Sequence, residues 1–114
     1  MSDCLFCNIA AGKIPCDIVY QDEEILAFRD IQPQAPIHLL IIPKAHAADG
    51  AAGINEGNSA IVGKCFEAAA KLASELELKE GFRMVTNNGP AAGQSVPHLH
   101  FHLLAGKPLT LQMA

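Results

Sequence analysis

Apolar and polar positions alternate most sharply in His98-Leu99-His100-Phe101-His102-Leu103-Leu104. Side chains of a strand point to alternate faces, so this segment predicts a strand over 98–104 with three imidazoles on one side and Leu99, Phe101 and Leu103 on the other. Neighbouring members of such a row stand about 7 Å apart along the strand, and the outer two about 13 Å. Zinc–nitrogen bonds are only about 2.1 Å, so a straight strand cannot gather all three rings on one ion, and the three have separate tasks.

The same reading places a short helix over 4–11 and strands over 18–21, 25–30 and 38–42, the first two joined by Asp22-Glu23-Glu24 in a meander. Pro33, Pro36 and Pro43 mark points where a strand stops. Between 58 and 76, Ile61, Cys65, Ala68, Leu72 and Leu76 recur at helical spacing. Val62, Phe66, Ala69 and Ala73 widen that apolar face, leaving Lys64, Glu67, Lys71 and Ser74 to solvent. A strand over 82–88 completes the set. The sum is an α+β fold in a single domain spanning 1–114, with a sheet of about five mainly antiparallel strands, one long helix and one short one. The apolar face of the long helix is broader than one sheet needs, which predicts a homodimer.

Composition narrows the function classes. With 114 residues, 50% of them hydrophobic, the chain can bury one modest core. The net charge is −4 and the 8 Lys and Arg residues form no run, which speaks against a nucleic-acid surface; any phosphate must be held locally. No stretch reaches the length of a membrane span, and Met1-Ser2-Asp3-Cys4 has neither the basic start nor the apolar stretch of a secretory segment. The expected setting is cytoplasmic, away from membranes. Cys4, Cys7, Cys16 and Cys65 are unevenly spaced and read as thiols or metal ligands rather than a disulfide frame.

Candidate chemistry gathers ahead of and within the histidine row. The turn-rich loop Asn87-Asn88-Gly89-Pro90-Ala91-Ala92-Gly93-Gln94-Ser95-Val96-Pro97 leads into it, and Gly93 and Ser95 offer a backbone N–H and a hydroxyl. Imidazole, hydroxyl and glycine amides are groups suited to a phosphorus centre that gains negative charge on attack. A nucleophile must be central, which selects His100; imidazole, with an ordinary pKa of about 6.5, is mostly unprotonated at pH 7 and forms a labile N–P bond. Cys4-x-x-Cys7 lets two thiolates turn onto one zinc ion, with His46 and His98 available as further ligands; no organic cofactor is implied.

The run Gly93-Gln94-Ser95-Val96-x-His98-x-His100-x-His102-Leu103-Leu104 resembles the motif of the histidine triad (HIT) family in the form used by its Hint branch, the nucleoside phosphoramidate hydrolases. Ile14-Pro15, Val19-Tyr20-Gln21-Asp22, Leu26-Ala27-Phe28-Arg29-Asp30-Ile31, Pro33-Gln34-Ala35-Pro36 and His38-Leu39-Leu40-Ile41-Ile42-Pro43-Lys44 resemble family segments in the same order. The resemblance implies that His100 takes the nucleotidyl group, with His102 and Ser95 on the phosphate and the Gly93, Gln94 and Val96 segment beside it. It implies further active-site roles for His38 and Asn87. Asp30 would hold both ribose hydroxyls, and Phe6, Ile9, Phe28, Ile31 and Leu40 would form a purine slot. Zinc-containing HIT proteins complete a Cys-x-x-Cys site with the first histidine of the triad, here His98. The expected function is hydrolysis of nucleoside 5′-phosphoramidates or adenylates, with an AMP-like purine nucleotide as partner and a homodimer as assembly. The competing readings are dinucleoside polyphosphate hydrolysis and a nucleotide sensor with little turnover. Segment 108–114 departs from the family's tail in having no aromatic residue.

Overall fold

The computed structural model describes residues 3–111. Helix α1 (Leu5–Ala10) is followed by strands β1 (Ile18–Gln21), β2 (Ile25–Arg29) and β3 (Ile37–Pro43), helix α2 (Ala60–Glu75), and strands β4 (Arg83–Val85) and β5 (Phe101–Ala105). Short 3-10 turns cover Ala51–Gly53 and Pro90–Ala92. The five strands form one open sheet in the order β1-β2-β3-β5-β4, and every neighbouring pair is antiparallel. The fold is α+β, as the periodicities imply.

Period-two alternation divides the core into two layers. Ile25, Ala27, Leu39, Ile41, Phe101, Leu103 and Ala105 face α2 and pack with Cys65, Ala68, Ala69 and Leu72. Leu26, Phe28, Leu40 and Ile42 point the other way and pack with Phe6 and Ile9 of α1. A six-residue helix is too short to hold itself in water, so α1 owes its order to this packing and to its cap, where the Cys4 sulfur accepts the Cys7 N–H at 3.3 Å. No helix among the described residues is long and apolar enough to cross a membrane. The last three residues of the 108–114 tail lie outside the described residues.

Two strands are shorter than the alternation predicts. The expected strand over 82–88 keeps only Arg83–Val85, because the Thr86 hydroxyl turns to donate to the His100 carbonyl at 2.8 Å and the chain leaves the ladder. The expected strand over 98–104 begins at Phe101. The His98 N–H is taken by the Val96 carbonyl at 2.8 Å and the Leu99 N–H by the Ala48 carbonyl at 2.9 Å, so neither can join a neighbouring strand. Of the three triad imidazoles, only that of His102 rises from regular sheet. The facing still alternates: Leu99 lies in the α2 layer, while Phe6 of the α1 layer has its ring centroid 5.0 Å from that of His100.

Candidate active site and metal centre

Pairing of β3 with β5 places His38 opposite Leu104 and Leu40 opposite His102, so that His38 and His102 emerge diagonally on the α1 face. Their ring centroids are 5.1 Å apart, and those of His100 and His102 are 5.2 Å apart, closer than a straight row allows. His98 turns away from this group toward Cys4 and Cys7.

Backbone partners assign the tautomers. The Gln34 N–H donates to Nδ1 of His38 at 3.0 Å, which leaves the proton on Nε2, 2.9 Å from Nδ1 of His102 and 3.4 Å from Oδ2 of Asp30. His38 therefore donates to His102, and His102 keeps its own proton on Nε2. His100 must donate from Nδ1 to the His98 carbonyl, 2.7 Å away, since a carbonyl only accepts. Its Nε2 is left with a free lone pair. Burial, with the charges of His100 and His38 added, pushes the His102 ring down to about 4. Burial likewise holds His38 below the usual histidine range, against the opposing pull of Asp30. These two rings are neutral donors at neutral pH.

The loop before β5 is open to solvent at Gly93 and Ser95. Gly93 has φ 93°, a left-handed conformation that a side chain would strain, and it lets the chain turn toward Ser95. Asp30 lies at the end of β2, where its Oδ1 accepts the Gln32 N–H at 2.8 Å; a carboxylate has room for further donors. Phe6, Ile9, Phe28 and Leu40 form one buried cluster, with the Phe6 and Phe28 rings meeting edge to face at 5.7 Å. Ile31 stands apart from it, 93% exposed on the turn after Asp30. Asn87 and Val96 are half-buried. The polar atoms of the Gln94 amide bond the Gly89, Asp49 and Val96 backbone. Thr86, Asp49 and the Gln34 N–H have no chemical signature in the sequence, although a carboxylate three residues after His46 is a findable hint.

Cys4, Cys7, His46 and His98 bring four ligand atoms within 4.8 Å of one another. Tetrahedral zinc with Zn–S of about 2.3 Å and Zn–N of about 2.05 Å needs sulfur and nitrogen about 3.6 Å apart. Nδ1 of His98 is 3.5 Å from the Cys7 sulfur and 3.2 Å from that of Cys4, and Nδ1 of His46 is 3.6 Å from the Cys7 sulfur. Both imidazoles donate their other nitrogen, His98 Nε2 to the Pro43 carbonyl at 2.8 Å and His46 Nε2 to the Asp49 carboxylate at 2.7 Å. That arrangement aims a lone pair at the centre, as metal-binding histidines require. Burial raises the Cys4 thiol, but its hydrogen bonds with Cys7 and the nearby His46 outweigh this and hold it below the ordinary cysteine range. The residues fit a structural zinc ion. The buried thiol of Cys65, in the α2 layer, is pushed up to about 12 by its burial.

The chain is 43% identical over 110 residues to the 14 kDa zinc-binding protein of Brassica juncea, covering 94% of this chain and 96% of that one. It is 40% identical over 111 residues to the adenylylsulfatase HINT1 of Arabidopsis thaliana, covering 95% and 74%. The solved structure of a HIT family hydrolase from Clostridium thermocellum superposes with a TM-score of 0.94 at 43% identity, covering 100% of this chain and 99% of that one. With the HIT domain model matching residues 11–109 and the three spaced histidines gathered beside an open loop, this chain belongs to the HIT domain family.

Proposed function

We propose that the protein is a Hint-like hydrolase that cleaves purine nucleoside 5′-phosphoramidates or related adenylates through a nucleotidyl group held on His100. The observation that carries this reading is the 2.7 Å bond from His100 Nδ1–H to the His98 carbonyl, which leaves Nε2 as the nucleophile. As Nε2 bonds to phosphorus the bond to the leaving nitrogen breaks, the imidazole becomes cationic, and the His98 carbonyl supports its Nδ1–H. The leaving nitrogen takes a proton from solvent, relayed through the Ser95 hydroxyl, and departs as the neutral amine, while His102 Nε2–H donates to a phosphate oxygen as charge builds there. Water then attacks phosphorus, the N–P bond breaks, His100 returns to its neutral tautomer, and the water's proton leaves with solvent.

Asp30 accepts the ribose hydroxyls, and Phe6, Ile9, Phe28 and Leu40 floor a slot for the base. Ile31, exposed on the same turn as Asp30, would cover the base once it is bound. Asn87 and the Gly93, Gln94 and Val96 segment shape the phosphate end. Zinc on Cys4, Cys7, His46 and His98 would order the N-terminal segment against the start of the triad. A second copy would cover the outer face of α2, where Phe66 is 49% exposed; sedimentation at micromolar concentration then gives about twice the 12.1 kDa chain mass.

Pure protein is offered adenosine 5′-phosphoramidate, an aminoacyl adenylate, adenylyl sulfate and a dinucleoside polyphosphate in parallel. The phosphoramidate or an adenylate is turned over fastest, and acid-labile nucleotidyl-protein accumulates on quenching. Preference for the dinucleoside polyphosphate, or tight AMP binding with no turnover of any of the four, overturns the assignment.

A further inference from the structure

The segment after β3 carries His46 and Asp49, the segment before β5 carries Ser95, and Gln94 joins the two. Its Nε2 donates to the Asp49 carbonyl at 2.6 Å and to the Val96 carbonyl at 3.0 Å, while its Oε1 accepts the Gly89 N–H at 2.7 Å. Beside it, Oδ1 of Asn88 accepts the Ala52 N–H at 2.8 Å. Gly50 is buried beneath both amides: a Cβ there would stand 2.5 Å from Asn88 Oδ1 and 3.2 Å from Gln94 Oε1, so the close approach of the two loops requires glycine. The Leu99 N–H adds a third tie, to the Ala48 carbonyl.

Asp49 connects this latch to the cysteine–histidine cluster. Its carbonyl accepts from Gln94, and its carboxylate accepts from His46 Nε2–H. One residue therefore touches a candidate metal ligand at one end and, at the other, the side chain that precedes Ser95. A loop built on Gly89, Pro90 and Gly93 has much conformational freedom to lose when it closes on a phosphate. Whatever stiffens 46–49 removes part of that cost beforehand.

We propose that Gln94 is a positioning residue that couples cation binding at Cys4, Cys7, His46 and His98 to phosphate binding at the Ser95 loop. The inference rests on the functional reading above and adds a regulatory link that the catalytic residues do not require. Coupling of this kind is reciprocal: if zinc tightens the nucleotide by some factor, the nucleotide tightens zinc by the same factor.

The full chain, with its cysteines reduced, is titrated with AMP by calorimetry with and without one equivalent of zinc, and its zinc affinity is read against a chromophoric chelator with and without saturating AMP. Both factors come out near tenfold in the wild type. Gln94→Met keeps the length and the apolar stem but makes none of the three hydrogen bonds; both factors fall below about twofold, whatever the change in either affinity alone. Asn88→Ala severs only the neighbouring tie and lowers the factors less, and it decides the matter should Gln94→Met fail to fold. Equal affinities with and without the other ligand in the wild type, or factors unchanged in the variants, overturn the coupling. AMP binding that is indifferent to zinc removes this inference and leaves the functional reading standing, whereas failure to bind AMP in either state removes both.

Discussion

Nε2 of His38 and Nδ1 of His102 face each other across 2.9 Å, and only one proton lies between them. The Gln34 N–H fixes the direction of that hydrogen bond, and protonating His102 at Nδ1 would set two N–H groups against each other. Burial, with the charges of His100 and His38, pushes His102 down to about 4, and the opposed N–H groups act in the same direction. The unfolded chain binds a proton at this ring near pH 6.5, whereas the folded chain resists until about pH 4. Between those values the unfolded state holds more protons, so stability falls on acidification from about pH 6.5 to about pH 4 and is level below. Urea midpoints at pH 7 and pH 4.5, compared between wild type and His102→Gln, should show the wild type losing on the order of 2 kcal/mol more, after allowing for solvent screening of a half-buried ring. Equal losses would refute the assignment.

His100→Ala removes the nucleophile but not the ground-state contacts. Turnover of adenosine 5′-phosphoramidate should fall below a few per cent, while the Kd for AMP stays within about tenfold, because Asp30 and the Ser95 loop provide most of the binding. Retention of more than a few per cent activity rejects the nucleophile.

On the proposed mechanism, Ser95→Ala deletes one donor to the leaving nitrogen. A loss of roughly 10²-fold in kcat is expected with little change in KM. An unchanged kcat with a raised KM would make Ser95 a group that binds substrate and transition state alike.

Removal of zinc should show first in stability. Zinc held by Cys4, Cys7, His46 and His98 would have four protein ligands and no position for a reacting water, and since the unfolded chain cannot assemble them, binding energy would appear as folding energy. Chelation, or Cys7→Ser, lowers the melting temperature before it lowers kcat per folded molecule. Loss of catalysis at unchanged melting temperature contradicts this, as does stability indifferent to added zinc.

Helix α2 ends with Glu77 at φ 54°, its N–H on the Ser74 carbonyl at 3.1 Å and the Leu78 N–H on the Ala73 carbonyl at 2.9 Å. This double bond pattern favours glycine at the left-handed position. Glu77→Gly should raise the unfolding free energy by about 0.5–1 kcal/mol with kcat unchanged, since a side chain is strained there. A drop in the denaturation midpoint would show that the Glu77 side chain matters more than its backbone.

What the sequence displayed was periodicity and residue chemistry. Leu99, Phe101 and Leu103 reached the core for the reason their spacing implied, and Cys65, Ala68 and Leu72 formed the buried stripe of α2. What it concealed were backbone partners. Nothing in His98-Leu99-His100 announces that the Leu99 N–H belongs to Ala48, fifty-one positions upstream, so the predicted strand began too early. Nothing around Gln94 announces that its amide donates to the Asp49 carbonyl, on a loop whose proximity only the tertiary fold creates. Ile31 shares the turn of Asp30 but not the apolar cluster, a distinction that alternation along β2 cannot make past the strand's end.

The insertion of β5 between β3 and β4 also dictates when the protein becomes itself during synthesis. A nascent chain that has emerged only as far as β4 has its first three strands paired in sequence, but the far edge of β3 is bare and β4 has no neighbour. That bare edge, Ile37–Pro43, is largely apolar and is a template for the wrong strand from another chain. Only when the last strand threads the gap do His38 and His102 meet and the edge disappear. Non-local pairings of this kind form slowly, so the hazard of aggregation belongs to the interval before β5 has emerged, and the site is assembled once that strand is in place.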